Sequence, residues 1–261
     1  MLKKIINHTA LLTTVLFSGN SLAENAPIKL ENESWQIQVT PYLWATSLSG
    51  TAGVTAPPIS TDIEISQSDI FDNLDMAFLL NARATKGAWG GAIDMVYMDV
   101  SMEKNREPLM VNLEMKQTVV SGSVLYQVQA AEGLELHLGA RYVDLANDIK
   151  ISLNGTEQSG IQMSPGDDWV EAFLGARYNY VATPSLNFTA YGDIGGFSGQ
   201  SDNMYQLVLT ANYQINKNIS VTGGYRIFDV DYEANNFIYD VTTDGVRARS
   251  RTYFEHLKRS I

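Results

Sequence analysis

Val170-Glu171-Ala172-Phe173-Leu174-Gly175-Ala176-Arg177-Tyr178-Asn179-Tyr180 changes character at every residue. Val170, Ala172, Leu174, Ala176, Tyr178 and Tyr180 form one face; Glu171, Phe173, Gly175, Arg177 and Asn179 form the other. After Ala182-Thr183-Pro184-Ser185 the alternation restarts, with Leu186, Phe188 and Ala190 against Asn187, Thr189, Tyr191 and Asp193. A period of two over this length specifies antiparallel strands joined by a tight turn, because a helix requires apolar residues three and four apart. The alternation fits two architectures. A soluble sandwich or barrel turns its apolar face inward, whereas a transmembrane barrel turns that face to lipid and lines its lumen with the polar one.

The remainder of the chain decides between them. Residues 1–23 read as an export signal: Lys3 and Lys4 precede an apolar centre, Ala10 to Phe17, and a small-x-small cleavage site, Ser21-Leu22-Ala23. The apolar centre is too short to cross a bilayer. The chain has no cysteine, which excludes disulfides, thiolate metal sites and a cysteine nucleophile. Without the signal, 16 Lys and Arg face 29 Asp and Glu, a net charge of about −13 that argues against nucleic acid as a partner. No later segment is apolar for long enough to make a membrane helix. A membrane form must therefore be a closed barrel, since only helices and barrels satisfy every backbone group in lipid.

Ten strands are expected: 35–45, 75–85, 88–101, 111–128, 134–151, 168–181, 186–195, 203–215, 219–232 and 238–254. A small strand at 62–66, a helical turn at 68–72 and a fold-back through 161–164 after the Asn154-Gly155 turn accompany them. Connections after the second, fourth, sixth and eighth strands are short, and the others are longer or more polar. Segregation of this kind marks outer-membrane barrels. Aromatic residues near strand ends (Trp35, Tyr126, Tyr178, Tyr180, Tyr213, Tyr225) suit an interfacial girdle. The expected fold is thus all-β, a closed antiparallel transmembrane β-barrel of about 10 strands (8–12). It has short periplasmic turns and longer extracellular loops, with a lead-in at 24–34, the barrel at 35–254 and a tail at 255–261.

Further motifs carry a resemblance. Pro41-Tyr42-Leu43-Trp44-Ala45 with Leu48-Ser49-Gly50, Asp72-Asn73-Leu74-Asp75-Met76-Ala77-Phe78, Asp167-Asp168-Trp169 with Gly175-Ala176-Arg177-Tyr178, and Gly192-Asp193-Ile194-Gly195-Gly196-Phe197 resemble a large uncharacterised family of Gram-negative outer-membrane β-barrel proteins. Ser201-Asp202, Gly224-Tyr225-Arg226 and Asp231-Tyr232 extend the similarity over most of the mature chain. The resemblance implies an outer-membrane barrel and no particular activity. Such barrels end on an aromatic residue read by the barrel-assembly machinery; Tyr253-Phe254 stands there, but Glu255 to Ile261 follows.

Carrying the lipid-facing register around the barrel puts Arg83, Asp94, Glu135, His137, Arg141, Glu171, Arg177, Asp193, Arg226, Arg247, Arg249 and Arg251 in the lumen. On a lipid face each charge at mid-depth would cost about 2–4 kcal/mol. These charges are expected to pair and largely plug a narrow barrel, leaving a structural or surface-interaction role. The alternative is a narrow, arginine-lined pore for small anionic or polar solutes. A lipid-modifying hydrolase built on His137, Glu135 and Ser121 or Ser123 is the weakest reading, because an inward His137 near the short-turn end reads first as a satisfied lumen histidine. Loop acids such as Asp62, Asp69, Asp167, Asp168, Asp229 and Asp231 lack calcium-loop spacing. No enzymatic activity, metal or cofactor is expected. The expected partners are outer-membrane lipids, the assembly machinery, and small solutes or surface ligands at the loops.

Overall fold

A computed structural model describes residues 34–56, 58–106, 109–153, 156–197, 201–216 and 219–252. The export signal, most of the lead-in, Tyr253-Phe254 and the tail lie outside the described residues.

The chain forms thirteen strands and one short helix. In order they are β1 (Gln36–Pro41), β2 (Leu43–Thr55), β3 (Pro58–Ile65), α1 (Gln67–Asp72), β4 (Leu74–Lys86), β5 (Trp89–Arg106), β6 (Leu109–Gln127) and β7 (Leu134–Leu153). They continue with β8 (Thr156–Met163), β9 (Gly166–Thr183), β10 (Leu186–Gly195), β11 (Asn203–Asn216), β12 (Ile219–Ala234) and β13 (Phe237–Thr252). All ladders are antiparallel, and the path runs β1-β4-β5-β6-β7-β9-β10-β11-β12-β13-β2-β3, with β8 paired to β7 alone.

Two expectations are corrected. The sheet has thirteen strands rather than about ten, and its hydrogen-bonded path has two ends instead of closing on itself. The surplus has a local cause. The expected first strand is split at Tyr42 into β1, paired with β4, and β2, paired with β13; Pro41 just before the break has no N–H to donate. The other two extra strands, β3 and β8, are flaps that fold back on β2 and β7. Between the expected first strand and the helical turn, where only a small strand at 62–66 is expected, the chain forms the β2–β3 hairpin.

The expected longer loops are also corrected, because the strands themselves extend. β12 and β13 join through Asn235-Asn236, both at positive φ (49° and 67°), the conformation of a primed hairpin turn. The connection between β10 and β11, residues 196–202, is longer. At the opposite end β4 and β5 join through Gly87-Ala88, and β9 and β10 through Pro184-Ser185. We refer to these as the hairpin end and the turn end. α1 lies at the hairpin end; Ser66 Oγ accepts from the Asp69 N–H at 3.2 Å to cap it, and Ile70 joins the buried apolar cluster.

Contacts between strands distant in the path roll the sheet around an interior. Arg83 of β4 meets Glu135 of β7, Arg226 of β12 meets Asp94 of β5, and Arg141 of β7 meets Asp193 of β10. At the hairpin end Trp169 of β9 stacks on Tyr232 of β12, with ring centroids 3.9 Å apart. The β13–β2 seam is tight: a Cβ at Gly245 would lie 1.8 Å from the Ala45 carbonyl oxygen, so only glycine fits there.

Candidate functional site

The two faces of the rolled sheet exchange character part-way along the strands. On the turn side, outward residues are apolar and inward ones polar or charged. Leu43, Phe78, Ile93, Leu136, Leu138, Leu174, Leu209 and Val246 stand exposed, Leu43 by 66% and Leu138 by 62%. Glu135, His137 and Arg141 are buried behind them. On the hairpin side the arrangement reverses. Val96, Met98, Val100, Val143, Leu145, Trp169, Phe228, Val230, Tyr232, Tyr239 and Val241 make a dry core, while Asp99, Lys116, Asp144, Asp168, Asp229 and Asp244 stand on the outer face.

The register aligns these outward charges from strand to strand. Asp99 pairs with Lys116, Asp144 with Asp168, and Asp229 with Thr242. The apolar belt below them is about nine residues tall on β5 (Trp89 to Tyr97), β7 (Leu134 to Tyr142) and β12 (Ile219 to Ile227). At about 3.3 Å per residue and a tilt of ~40° that is roughly 20–25 Å along the axis, close to the apolar band of an outer-membrane barrel. Aromatic rings edge the belt. Trp35, Trp89, Tyr178, Tyr180 and Tyr213 are exposed toward the turn end, and Tyr126 packs on Trp89 at 4.8 Å. Toward the hairpin end the Tyr225 hydroxyl donates to Asp244.

The expected lumen charges gather on the turn side as connected clusters. Arg83 donates from both terminal nitrogens to Glu135, at 2.8 and 2.7 Å. Glu135 Oε1 also meets His137 Nε2 at 2.7 Å, and His137 Nδ1 lies 3.1 Å from Ser123 Oγ. With a carboxylate on Nε2, that nitrogen carries the proton and Nδ1 accepts from the serine. A second cluster holds Arg141, which donates to Asp193 at 2.9 and 3.0 Å and to Ser121 Oγ at 2.8 Å; Gln206 donates to Asp193 at 2.8 Å. The Arg141 guanidinium also lies between the rings of Phe173 and Phe228, 4.9 and 5.1 Å from their centroids. In the third cluster Arg226 donates to Asp94 at 3.1 Å and to the Tyr42 hydroxyl at 2.9 Å, and Tyr42 donates to Asp94 at 3.0 Å. Arg226 covers Trp44 and Arg247 covers Tyr42, at 4.4 and 3.7 Å from the ring centroids. Arg249 donates to Thr222 at 3.1 Å. Glu171 sits apart, accepting from the Ser201 N–H and hydroxyl at 3.2 and 2.7 Å. Arg251 pairs with Ser220 in the β12–β13 ladder.

A cavity of about 120 Å³ lies among these clusters, bounded by Arg83, Arg141, Arg177, Arg226, Arg247 and Arg249 and by the polar groups of Asn81, Ser123, Thr189 and Thr222. Arg177 and Arg249 are only partly buried and lie toward the turn end. Phe173 borders the cavity, and the buried Phe228 and Trp44 lead into the hairpin-side core.

Ser123, His137 and Glu135 have the connectivity of a nucleophile–base–orienter chain. Its surroundings differ from those of a working triad. Both oxygens of Glu135 are held by Arg83, and the strand amides on either side of Ser123 belong to the β5–β6–β7 ladders, leaving no pair of backbone N–H groups for an oxyanion.

Electrostatics at the hairpin end split in sign. Burial and the neighbouring Asp240, Asp202, Asp229 and Glu233 push the Asp231 carboxyl above the usual range. For Asp167 burial acts in the same upward direction but is outweighed by hydrogen bonds from the Tyr232 hydroxyl (2.6 Å), the Asn235 amide (2.9 Å) and the Asp168 N–H (3.0 Å), so its pKa falls. Among the described residues no group of three or more His, Asp or Glu side chains is arranged to hold a metal ion.

Sequence reading missed the hairpin-side core. The signal was present as a change in the parity of charges within single strands. On β7 charges occupy odd positions (Glu135, Arg141) and then even ones (Asp144, Asp148). On β12 Arg226 gives way to Asp229, Asp231 and Glu233, and on β13 Arg249 and Arg247 give way to Asp244 and Asp240. Since the strands do not slip register at those points, a parity change means that the charged face has moved to the other side of the sheet.

No family model matches the chain, so the family resemblance read from its motifs finds no support there, and no curated protein matches it. Solved structures similar to it include Neisserial surface protein A, at 14% identity over 83% of this chain and 99% of that one, TM-score 0.30. The translocator domain of the autotransporter NalP from Neisseria meningitidis is 8% identical over 86% and 90%, TM-score 0.36. The outer membrane protease OmpT from Escherichia coli is 12% identical over 86% and 100%, TM-score 0.29. Likenesses this slight leave the functional reading to rest on the chain's own residues.

Proposed function

We propose that this protein is an outer-membrane β-barrel with a plugged lumen, serving as a structural or surface-interaction element. The observation that carries the reading is the exchange of faces. Water on both ends of a soluble sheet would give no reason for apolar-out, polar-in residues along one half and the opposite along the other. A bilayer around one half supplies that reason, because lipid accepts Leu138 and Leu209 whereas a charge there costs about 2–4 kcal/mol. On this reading the segment 36–55 bridges the two sides of the rolled sheet. Its first part pairs with β4 and its second with β13, and the Tyr42 N–H between them donates to the Leu79 carbonyl at 3.2 Å. On this reading β3 and β8 are flaps on the rolled sheet, and the hairpin end faces away from the cell.

The apolar core supports a plug over a conduit. A solute arriving from the turn end meets Phe173, Phe228 and Trp44, then the packed Trp169–Tyr232 stack. The competing arginine-lined pore draws support from the cavity alone. We read the Ser123–His137–Glu135 chain as a lumen clasp rather than a catalytic device. In planar bilayers the refolded mature protein should give no single-channel steps, while fractionating with membranes and migrating faster unheated than boiled. Regular steps that vanish in Arg249→Glu would replace the plug with the pore. A protein that stays soluble without detergent would remove both.

A further inference from the structure

The arginine-lined cavity stops short of the packed hairpin-side core on the plugged-barrel reading, and its chemistry selects a ligand. Six guanidiniums border it, and the only carboxylate among its bordering residues is Asp94. Even with Glu135, Asp193 and Glu171 counted, the interior arginines outnumber the acids six to four among the described residues. The surplus is positive in a chain whose overall charge is −11. Each of the four carboxylates already accepts hydrogen bonds: Glu135 from Arg83, Asp193 from Arg141 and Gln206, Asp94 from Tyr42 and Arg226, and Glu171 from Ser201. Two donors on buried guanidiniums of residues bordering the cavity, Arg141 Nη1 and Arg226 Nε, have no hydrogen-bond partner among the described residues. A buried charged donor left unmatched is costly, and an anion's oxygen is the acceptor that serves it best.

We infer that this pocket binds a small multivalent oxyanion, entering from the turn end and held among Arg177, Arg249, Arg141 and Arg226 with Thr189 and Thr222 hydroxyls beside it. The cavity has room for a phosphate or a short dicarboxylate. The blocked hairpin side makes it a binding site rather than a stage in transport. Guanidiniums match the paired oxygens of phosphate or carboxylate through parallel N–H donors, which a monatomic anion cannot use. The inference rests on the barrel reading, since only an enclosed interior hides these arginines from bulk water.

The test is isothermal titration of the refolded mature protein in detergent with inorganic phosphate and, separately, succinate, against chloride of equal ionic strength. One saturable site is expected for a divalent oxyanion and none for chloride. Phosphate over succinate names the phosphate class; the converse names the dicarboxylate class. In the double variant Arg177→Gln/Arg249→Gln, both positions partly exposed, the Kd should rise by about tenfold or more. Heat-modifiable migration of the variant must persist, showing that it folds; should it not, Thr222→Val alone is expected to weaken binding by about threefold to tenfold. Equal heats with chloride, or unchanged affinity in a folded variant, would overturn the site. Loss of heat-modifiable migration in the wild type would instead overturn the barrel beneath it.

Discussion

The turn-side and hairpin-side halves of the same strands solve opposite problems. On β7, Glu135, His137 and Arg141 look inward while Leu136 and Leu138 look out; a few residues later Val143 and Leu145 look inward and Asp144 looks out. The backbone is continuous and the ladder does not slip. Only the surroundings have changed. The lower half is consistent with hydrocarbon outside, so its polar groups have to satisfy one another within. The upper half is organised as an ordinary water-soluble sheet, with a core of Val, Met, Trp and Tyr and a charged exterior. On the proposed reading one set of strands belongs to two solvents, and the level at which faces exchange marks the boundary.

The largest effect should come from breaking an ionic cluster in the lower half. Arg141→Met removes the cation from Asp193, where both side chains are fully buried, and should cost about 3–5 kcal/mol in urea unfolding from micelles. Adding Asp193→Leu should recover most of that loss, because the abandoned charge, not the missing bond, carries the cost. A Val143→Ala change one turn of the alternation away lacks any such rescue by a second apolar substitution. If Asp193→Leu aggravates the single variant, the cluster is held together for some other reason.

The outer surface gives the next contrast. Leu209→Arg, in the middle of the apolar belt, should destabilise by about 2–4 kcal/mol in vesicles, whereas Glu233→Arg above the boundary should change stability by about 1 kcal/mol or less. Equal costs at the two sites would mean that no bilayer distinguishes them.

The smallest effect concerns the acidic rim. The Asp231 pKa is raised on folding, so the folded chain holds that proton more tightly than the unfolded one. Its contribution favours the fold below the ordinary carboxylate value of about 3.9 and is lost as pH rises through the elevated folded value. Asp231→Asn should therefore stabilise the protein at neutral pH by less than about 0.5 kcal/mol, the group being well solvated, and should do nothing in acid. A pH-independent change would point to packing instead of charge. Asp167 behaves oppositely. Its pKa is lowered, so its contribution is present above the ordinary value and fades as pH falls.

How much of this was legible in the sequence depends on which half is considered. Leu136, Leu138, Leu174 and Leu209 stand outward as period two requires, and Arg141, Arg226 and Glu171 stand buried behind them. The pairing partners were not legible, since Arg226–Asp94 and Arg141–Asp193 join strands far apart in the chain. The flap β3 was half visible, because its Ser, Thr and Pro content read as loop while its pairing with β2 is set by the backbone. The upper core was missed because Val96, Met98, Val143 and Leu145 sit among other apolar residues, which blurs alternation. Only the shift in charge parity revealed it.

The most direct test uses the absence of native cysteine, which lets single-cysteine variants carry one spin label each. In vesicles, labels at Leu138, Leu174 and Leu209 should collide freely with dissolved oxygen and hardly at all with a water-soluble nickel complex. A label at Arg177 should show the reverse, and one at Asp231 should see nickel readily. Labels at 138, 174 and 209 that are shielded from both reagents, or that meet nickel as readily as Asp231 does, would contradict a lipid-facing belt.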